Sequence, residues 1–445
     1  MSRNLRTVVV FAALVTLLLT LVFVGQGMAK DKFRTPEQLG EFLYFDEDLS
    51  EPAGQACASC HLPEVGFDDP DAELPVSEGV IADRFGDRNS PASAYAMYAP
   101  LFHWDGTEGL FIGGQFWDGR ATGEVLGDPL ADQALGPFLN PVEMANPDKA
   151  TVVKDVTRSS YSNLFKEVCG KVKFYDTASV EAAYDCIAGS IAAFERTELF
   201  GQFTSKYDAY LQDCLAAGGD PDGCATGTND EAKALGPEFF TEPEWDGLQL
   251  FMGEENDNDG VLEEGEGASC VLCHVASWTD PADYGDLNVH VPDWSGGMIP
   301  PVFTDFTFDN LGVPKNWNNP FLYQDEAFNP AGQEFIDLGL ARFLEGRTDL
   351  WPGGDWALAD EDGKFKVMTL RNSGLTAPYA HNGFFSTLEA ITHFYNTRDV
   401  ASASWEGAEV PYTVNTEELG NLGLSATDEA ALVQFMMTLN DGSAP

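Results

Sequence analysis

The chain has 445 residues, of which 44% are hydrophobic and 22% charged, which provides apolar material for two ordinary domains and argues against a disordered chain. Its 72 Asp and Glu residues outnumber 24 Lys and Arg residues and give a formal net charge of -48. Such a surface repels phosphate backbones, so nucleic acid is excluded as an expected partner, whereas a basic protein such as a cationic electron carrier would be attracted. Solubility is the simpler explanation of the same charge.

Residues 1–29 are predicted to be a signal peptide. Arg3 and Arg6 precede an almost entirely apolar run over 8–24, and small residues at 27–29 offer a cleavage site before Lys30. The run is close to the roughly 17-residue lower limit of a membrane span, so a membrane is an expected partner only if the signal is not cleaved. We therefore expect export to the periplasm.

Two Cys-x-x-Cys-His motifs, at 57–61 and 270–274, indicate two covalently bound haem c groups. The two sulfurs of each motif attach the haem, and the adjacent His binds the iron as proximal ligand. A zinc site formed by both pairs is the alternative, and it would leave both His residues unexplained. The predicted haem-binding residues are Cys57, Cys60, His61, Cys270, Cys273 and His274.

The other four cysteines lie between the two motifs. In an oxidising compartment we expect them to form two local disulfides, Cys169 with Cys186 and Cys214 with Cys224. The sequence alone allows three pairings of four cysteines. We expect this one because each pair joins cysteines that are close in the chain.

A similar phrase precedes each haem motif, at 40–45 and again at 247–251, and each predicts a short amphipathic helix that leads into a haem site. This repetition predicts two haem domains in tandem, 30–235 and 236–445. The boundary is expected in the polar stretch 218–243, which contains Gly and Pro.

Helical periodicity is clear in four further segments, 180–194, 333–344, 386–395 and 427–439, and strand patterns are sparse. The last two segments begin with residues that favour a helix N-terminus. The predicted fold class is therefore mostly α, with two tandem cytochrome c-like haem domains and long loops.

Motifs along the chain from Gly40 to Leu439 resemble those of the bacterial di-haem cytochrome c peroxidases and their MauG-type relatives. The matching phrases are 40–45, 88–91, 116–120, 133–137, 140–144, 192–197 and 370–383. The resemblance implies that the N-terminal haem reacts with hydrogen peroxide and that the C-terminal haem transfers electrons to it.

The resemblance also implies three catalytic residues. Gln133 and Glu143 would line the distal face of the N-terminal haem, and Trp117 would lie between the haems and relay electrons. Cleavage of peroxide needs a base that takes a proton from one oxygen and returns it to the other, which a carboxylate can do while an amide orients the oxidant. The alternatives are solvated side chains for Gln133 and Glu143 and interdomain packing for Trp117.

Two departures from the peroxidase pattern bear on the subtype. The peroxidases place a His on the loop after the first motif, where it blocks the iron until the other haem is reduced, but residues 76–81 contain no His. We therefore expect an open site without reductive activation, and we expect His103 to be a loop residue.

The second departure is Tyr395, which stands where the peroxidases carry a Met ligand of the C-terminal haem, as in the MauG-type branch. A phenolate oxygen stabilises oxidised iron better than a thioether does and lowers the reduction potential. The alternative is a core Tyr395 with Met436 or Met437 as the ligand.

Asn89, Thr376 and Pro378 match positions that bind a calcium ion between the domains in the resembling proteins, and oxygen ligands suit calcium. The acidic run 255–266 resembles an EF-hand loop less well, and a solvated acidic loop is the preferred interpretation. His290 and His393 carry no motif and are expected to be structural.

The predicted function is a periplasmic di-haem oxidoreductase that reduces hydrogen peroxide with electrons from a small periplasmic donor protein. A MauG-type enzyme that oxidises residues of a partner protein is the first alternative, although the Trp expected just upstream of the second motif is absent from 267–269. A simple electron-transfer cytochrome is the second alternative, and Gln133 and Glu143 argue against it.

Overall fold

The computed structural model describes residues 34–253, 268 and 270–443. The predicted signal peptide and the predicted acidic loop 255–266 therefore lie outside the described residues. Within the described residues, no helix is both long and apolar enough to cross a membrane.

The described chain is mostly helical, with short 3₁₀ turns and long loops between the α-helices. The α-helices are α1 (Pro36–Tyr44), α2 (Cys57–Cys60), α3 (Pro129–Ala134), α4 (Lys149–Val156), α5 (Ser162–Val168), α6 (Thr177–Glu195), α7 (Lys206–Ala217), α8 (Pro221–Thr226), α9 (Asp230–Phe239), α10 (Glu242–Met252), α11 (Leu340–Glu345), α12 (Leu388–Thr397) and α13 (Ala426–Met437).

Two short antiparallel ribbons accompany the helices. The first pairs β1 (His103–Asp105) with β2 (Leu110–Ile112), and the second pairs β3 (Phe308–Asp309) with β4 (Phe365–Lys366). In the second ribbon Phe308 lies opposite Lys366. The segment that follows β4 then runs along the cavities that contain the haem motifs.

Two helix pairs have the same construction, with α1 packed on α6 and α10 packed on α13. At each crossing a glycine of the first helix touches the backbone of the second, because a Cβ at Gly40 would clash with the carbonyl oxygen of Ser190 and a Cβ at Gly247 with that of Ala431. Both glycines belong to the repeated phrase that precedes each haem motif. In each copy of the phrase, the glycine allows the helix to cross its partner helix at close range.

Replacing Gly40 or Gly247 with Ala is expected to lower the free energy of unfolding by about 1–3 kcal/mol or more, because the added methyl group has no space at the crossing. The matched control is Gly189→Ala within α6, where an added Cβ meets no atom within 4 Å. That change is expected to be neutral or stabilising, since Ala favours helix interiors over Gly by about 1 kcal/mol. Chemical denaturation of the three variants measures the difference, and equal losses would contradict the steric explanation.

The hydrophobic core is organised around these helix pairs. One cluster includes Leu39 and Leu43 of α1 and Ile187 of α6, and a second includes Leu248 of α10 and Phe435 of α13. The two largest clusters of the described residues therefore each contain one helix pair, which places a separate packed core beside each haem motif.

A buried ion pair joins α7 to the loop that carries Arg371. The Arg371 guanidinium, fully buried, lies 2.8 Å from the Asp208 carboxylate and donates to the Pro301 carbonyl at 2.8 Å. It also lies over the ring of Phe203 at 4.9 Å. Loss of either charge would leave its partner buried and unpaired, which costs several kcal/mol.

Three of the four periodic helix predictions are confirmed, as α6, α12 and α13. The prediction for 333–344 is wrong in its first half, because only Leu340–Glu345 is α-helical. Gly339 has a φ of +54° and lies against the carbonyl oxygen of Lys364, so the backbone turns there and cannot continue a helix. The N-caps of α12 and α13 are Thr387 and Ser425, one and two residues from the predicted start signals.

Both expected disulfides are present, Cys169 with Cys186 and Cys214 with Cys224. The first joins the end of α5 to α6, and the second joins α7 to α8. The four cysteines of the two haem motifs form no disulfide.

Candidate active site: two cavities with a shared wall

The first cavity has a volume of about 190 Å³ and contains the first haem motif. It is lined by Cys57, Cys60 and His61, and also by Gln133 and Glu143, which are distant from the motif in the chain. The fold therefore brings the predicted catalytic pair to the predicted haem-attachment residues.

The His61 ring is oriented by the backbone. Its Nδ1 lies 3.3 Å from the carbonyl oxygen of Phe67, so an Nδ1–H can donate there and leave Nε2 free to bind a metal. Burial lowers the pKa of His61 to about 4, which keeps the imidazole neutral, as an iron ligand must be. Burial also raises the pKa of the Cys60 thiol to about 12.

Glu143 lies in the turn after α3, and its carboxylate is positioned by a neighbour. The Asn140 side-chain amide donates to Glu143 Oε1 at 2.5 Å. Burial raises the pKa of Glu143, while Arg120 and the Asn140 hydrogen bond oppose that rise. A carboxyl group with a raised pKa binds a proton more readily near neutral pH, which suits an acid–base role.

Gln133 is on α3, whose N-terminus is held by an ion pair. The N-cap Asp128 accepts a hydrogen bond from the Leu130 backbone and pairs with Arg196 at 2.6 Å. This pair ties α3 to the end of α6 and sets the position from which Gln133 lines the cavity.

The loop after the first motif packs against the segment that carries Glu143 and borders this cavity. The Val80 N–H donates to the Glu143 carbonyl at 2.9 Å, and Gly79 lies so close to Val142 that a Cβ there would clash with the Val142 carbonyl oxygen. Ser77 and Glu78 of this loop line the cavity. The loop therefore reaches the cavity without contributing an imidazole to it.

His103 lies outside both cavities. It is exposed on β1 rather than on a loop, which corrects the expectation from the sequence, and its Nδ1 lies 2.8 Å from the Leu101 carbonyl. His393 is also exposed and pairs with Glu429 at 2.9 Å. The His290 backbone N–H donates to Met97 Sδ at 3.5 Å, and the His290 carbonyl oxygen accepts from the Tyr98 hydroxyl at 2.8 Å.

The second cavity has a volume of about 260 Å³ and contains the second haem motif. It is lined by Cys270, Cys273 and His274, and by Tyr395 of α12. His274 Nδ1 lies 3.0 Å from the Phe303 carbonyl oxygen, and burial lowers the pKa of His274 to about 4. The two motifs therefore share one arrangement, a neutral imidazole whose Nδ1 is held by a backbone carbonyl.

The three predicted candidates for the sixth ligand of the second haem differ in position. Tyr395 and Met436 both line the second cavity, whereas Met437 does not and is 41% exposed. Burial and then the two motif thiols raise the pKa of Tyr395. The structure thus leaves Tyr395 and Met436 as the candidates beside His274.

One wall separates the two cavities, because the same residues line both. Trp117 is in this wall, and its indole N–H donates to the Asn89 carbonyl at 2.9 Å. The residues that line both cavities are Asn89, Ser90, Pro91, Ala92, Trp117, Lys366, Val367, Met368 and Thr369.

The three predicted calcium ligands all border the second cavity. Asn89, Thr376 and Pro378 line it together, and the Asn89 side chain donates to the Pro75 carbonyl at 3.3 Å. Across residues 34–253, 268 and 270–443, no group of three or more His, Cys, Asp and Glu side chains could hold a metal ion. Calcium therefore stays a prediction.

Sequence reasoning missed three buried groups at these cavities. Glu195 lines the first cavity with an unpartnered Oε2, and burial raises its pKa to about 8. His381 has an unpartnered Nε2 and stacks on Phe365 with ring centroids 3.6 Å apart. Lys366 lines both cavities. Glu195 and His381 lie in phrases that carried the resemblance, which was the available signal.

Comparison with known proteins shows the family of this chain. The family model described as di-haem cytochrome c peroxidase matches residues 34–214. The methylamine utilization protein MauG of Paracoccus denitrificans is 33% identical over 420 residues, covering 91% of this chain and 88% of that protein. This chain belongs to the di-haem cytochrome c peroxidase and MauG family.

Two other di-haem peroxidases are similar to this chain over most of its length. The cytochrome c551 peroxidase of Nitrosomonas europaea is 28% identical over 360 residues, covering 80% of this chain and 72% of that protein. The crystal structure of the diheme peroxidase BthA from Burkholderia thailandensis is similar with a TM-score of 0.67 and 26% identity, covering 92% of this chain and 86% of BthA. This di-haem peroxidase homologue is therefore an enzyme with peroxidase-like oxidoreductase activity on a mostly helical fold.

The family implies two c-type haems, and the residues at both sites fit that group. Each site offers two cysteines that form no disulfide, beside a neutral imidazole whose Nδ1 is held by a carbonyl. This donor set is the one that c-type attachment requires.

Proposed function

We propose that this di-haem peroxidase homologue is a periplasmic enzyme that reduces hydrogen peroxide at the N-terminal haem, with electrons relayed from the C-terminal haem. One observation carries the proposal: Gln133 and Glu143 line the same cavity as the first haem motif, and Trp117 stands in the wall shared with the second cavity. The proposal includes two tandem haem domains, 30–235 and 236–445, which the two glycine helix crossings support.

The cysteines of each motif together with His61 and His274 would hold the two haems, which would supply the redox chemistry, with peroxide reduced at the first site. Glu143 takes a proton from one peroxide oxygen and returns it to the other, which then leaves as water. Asn140 holds Glu143 Oε1 in place for both transfers, and the Gln133 amide orients the oxidant. Two electrons from the donor protein and two protons from solvent complete the reduction of one peroxide to two waters.

Trp117 is proposed to carry electrons across the wall. Its indole N–H is held by the Asn89 carbonyl, and its backbone carbonyl accepts the Lys366 backbone N–H at 2.8 Å, so both the ring and the backbone that carries it are held. A fixed ring between two redox groups lowers the reorganisation that accompanies each transfer.

A MauG-type activity, oxidation of residues of a partner protein, is the second candidate. Tyr395 in the second cavity, the absence of His from 76–81 and the 33% identity to MauG favour it. The strongly acidic chain favours a basic protein, either as the electron donor or as the oxidised partner. We also propose one calcium ion at Asn89, Thr376 and Pro378, and export directed by residues 1–29.

Removal of each thiol pair in turn tests the assignment of the two sites. The Cys57→Ala, Cys60→Ala double variant is expected to keep one covalent haem and to lose peroxide turnover. The Cys270→Ala, Cys273→Ala double variant is expected to keep the first haem and its spectral response to peroxide, but to lose turnover with a small protein donor. The absorbance of the denatured protein measures how many covalent haems each double variant contains. Turnover that survives loss of the first pair would refute the proposal.

A further inference from the structure

Lys366 is a buried amine in the wall between the two cavities. The residue is 5% exposed and lines both cavities. Its Nζ donates to the Gly114 carbonyl at 2.8 Å and to Gln115 Oε1 at 3.4 Å, and its backbone N–H donates to the Trp117 carbonyl. The backbone of Lys366 is thus hydrogen-bonded to Trp117, the residue proposed to connect the two haem sites.

No carboxylate of the described residues lies within ion-pair distance of Lys366 Nζ. The carboxylate of Asp118 opposes the fall in the pKa of Lys366. This carboxylate is already bound by Arg88 at 2.7 Å and by Arg120 at 3.0 Å. Burial of a cation beside neutral acceptors alone is costly. Burial therefore lowers the pKa of Lys366 to about 7, against the opposing effect of Asp118.

Two of the titratable groups around the wall, Asp337 and His381, have a pKa below the ordinary value, so neither changes its charge near neutral pH. Asp337 is held by Arg88 at 2.6 Å, and burial lowers the pKa of His381 to about 3, which keeps that ring neutral. Lys364, on the same segment as Lys366, pairs with Glu361 at 3.0 Å. The titratable and charged groups on the elements packed against Lys366 are Asp87, Arg88, Asp118, Arg120, Asp305, Asp309, Asp337 and His381.

We propose that Lys366 binds a proton when an electron enters either haem site and releases it when the electron leaves. Lys366 is then a positioning residue that acts on the haems through its charge. The inference rests on the proposed function for the presence of both haems and for the electron donor. The electron comes from that donor, the proton comes from solvent to the neutral Nζ, and no other bond forms or breaks.

The consequence is a reduction potential that depends on pH. An added electron favours the protonated amine, so reduction binds a proton at pH values where Lys366 is neutral in the oxidised protein and protonated in the reduced protein. That range begins at about pH 7. There, each tenfold fall in proton activity lowers the potential of the coupled haem by up to about 59 mV.

The test is a spectroelectrochemical titration of the two-haem protein from about pH 6 to about pH 9, a range that brackets the neutral-to-alkaline region where a buried amine titrates. Lys366→Met removes the titrating group, and Lys366→Arg keeps a positive charge that does not titrate. Lys364→Met is the matched control on the same segment, since its amine is paired with Glu361. The wild type and Lys364→Met are expected to show the alkaline slope, and both Lys366 variants are expected to show a smaller one, because the buried Glu195 of the first cavity, with a pKa of about 8, contributes its own share.

A wild-type slope retained in both Lys366 variants would overturn the inference, and so would a uniform change in potential that leaves the slope intact, because that is what a packing role produces. If Lys366→Met fails to assemble with two haems, Lys366→Arg alone decides. Peroxide turnover of the wild type is measured in parallel. A two-haem protein without turnover would contradict the proposed function, whereas a two-haem protein with turnover and no Lys366-dependent slope would contradict only this inference.

Discussion

Replacing Glu143 with Gln lowers the rate of peroxide turnover by about 10²–10⁴-fold, the range that general acid–base groups contribute. The amide is close in shape to the carboxyl group but cannot take a proton from peroxide and return it. Because the Glu143 side chain is bonded only to Asn140 within the described residues, the exchange removes the proton carrier with little change in packing. Steady-state turnover with a reduced small protein donor measures the effect.

The matched control for this prediction is Glu64→Gln, an exposed glutamate three residues after His61. It makes the same chemical change near the first haem motif but outside the cavity lining. Haem content and thermal stability of both variants should equal those of the wild type. Wild-type turnover in Glu143→Gln would remove Glu143 from the mechanism, and an equal loss in Glu64→Gln would show a general effect of charge.

Replacing Tyr395 with Phe changes the absorption spectrum of one haem and raises its reduction potential. The phenolate oxygen stabilises oxidised iron, so its loss favours the reduced form. The expected change is on the order of tenths of a volt, since axial ligands tune haem potentials over a range of roughly 0.8 V. Potentiometric titration followed by absorbance resolves the two haems.

Tyr379→Phe is the matched control for Tyr395, because Tyr379 lines the same cavity while its hydroxyl donates to the Ser373 carbonyl at 2.7 Å. Its spectrum should equal that of the wild type. Met436→Leu tests the alternative ligand in the same cavity. A spectral change in Met436→Leu together with an unchanged Tyr395→Phe would assign the ligand to Met436 and show that the prediction for Tyr395 is wrong.

Periodicity predicted the elements whose burial follows one helix face. The apolar spacing over 180–194, 386–395 and 427–439 became α6, α12 and α13. The same pattern over 333–344 failed, because Gly339 adopts a left-handed conformation against Lys364 that spacing does not reveal.

The site was predictable where a motif carries its own chemistry and not where tertiary contacts create it. The haem-binding residues follow from Cys-x-x-Cys-His, and the cavity that unites Gln133 with Glu143 was expected from the resemblance alone. Lys366 was missed because a single Lys in a two-residue strand gives no periodic signal. Its burial depends on the pairing of β3 with β4 and on the Gly114 carbonyl, which are contacts across more than 50 and more than 250 residues of chain.

The most direct test of the account is the addition of stoichiometric hydrogen peroxide to the fully oxidised two-haem protein, followed by absorbance over minutes. Because the loop 76–81 brings no imidazole to the first cavity, the account predicts an immediate spectral change without prior reduction of either haem. A change in both haems that persists would favour oxidation of a partner protein over simple peroxide reduction. No change until one haem has been reduced would contradict the account and show that the first site is blocked by another group.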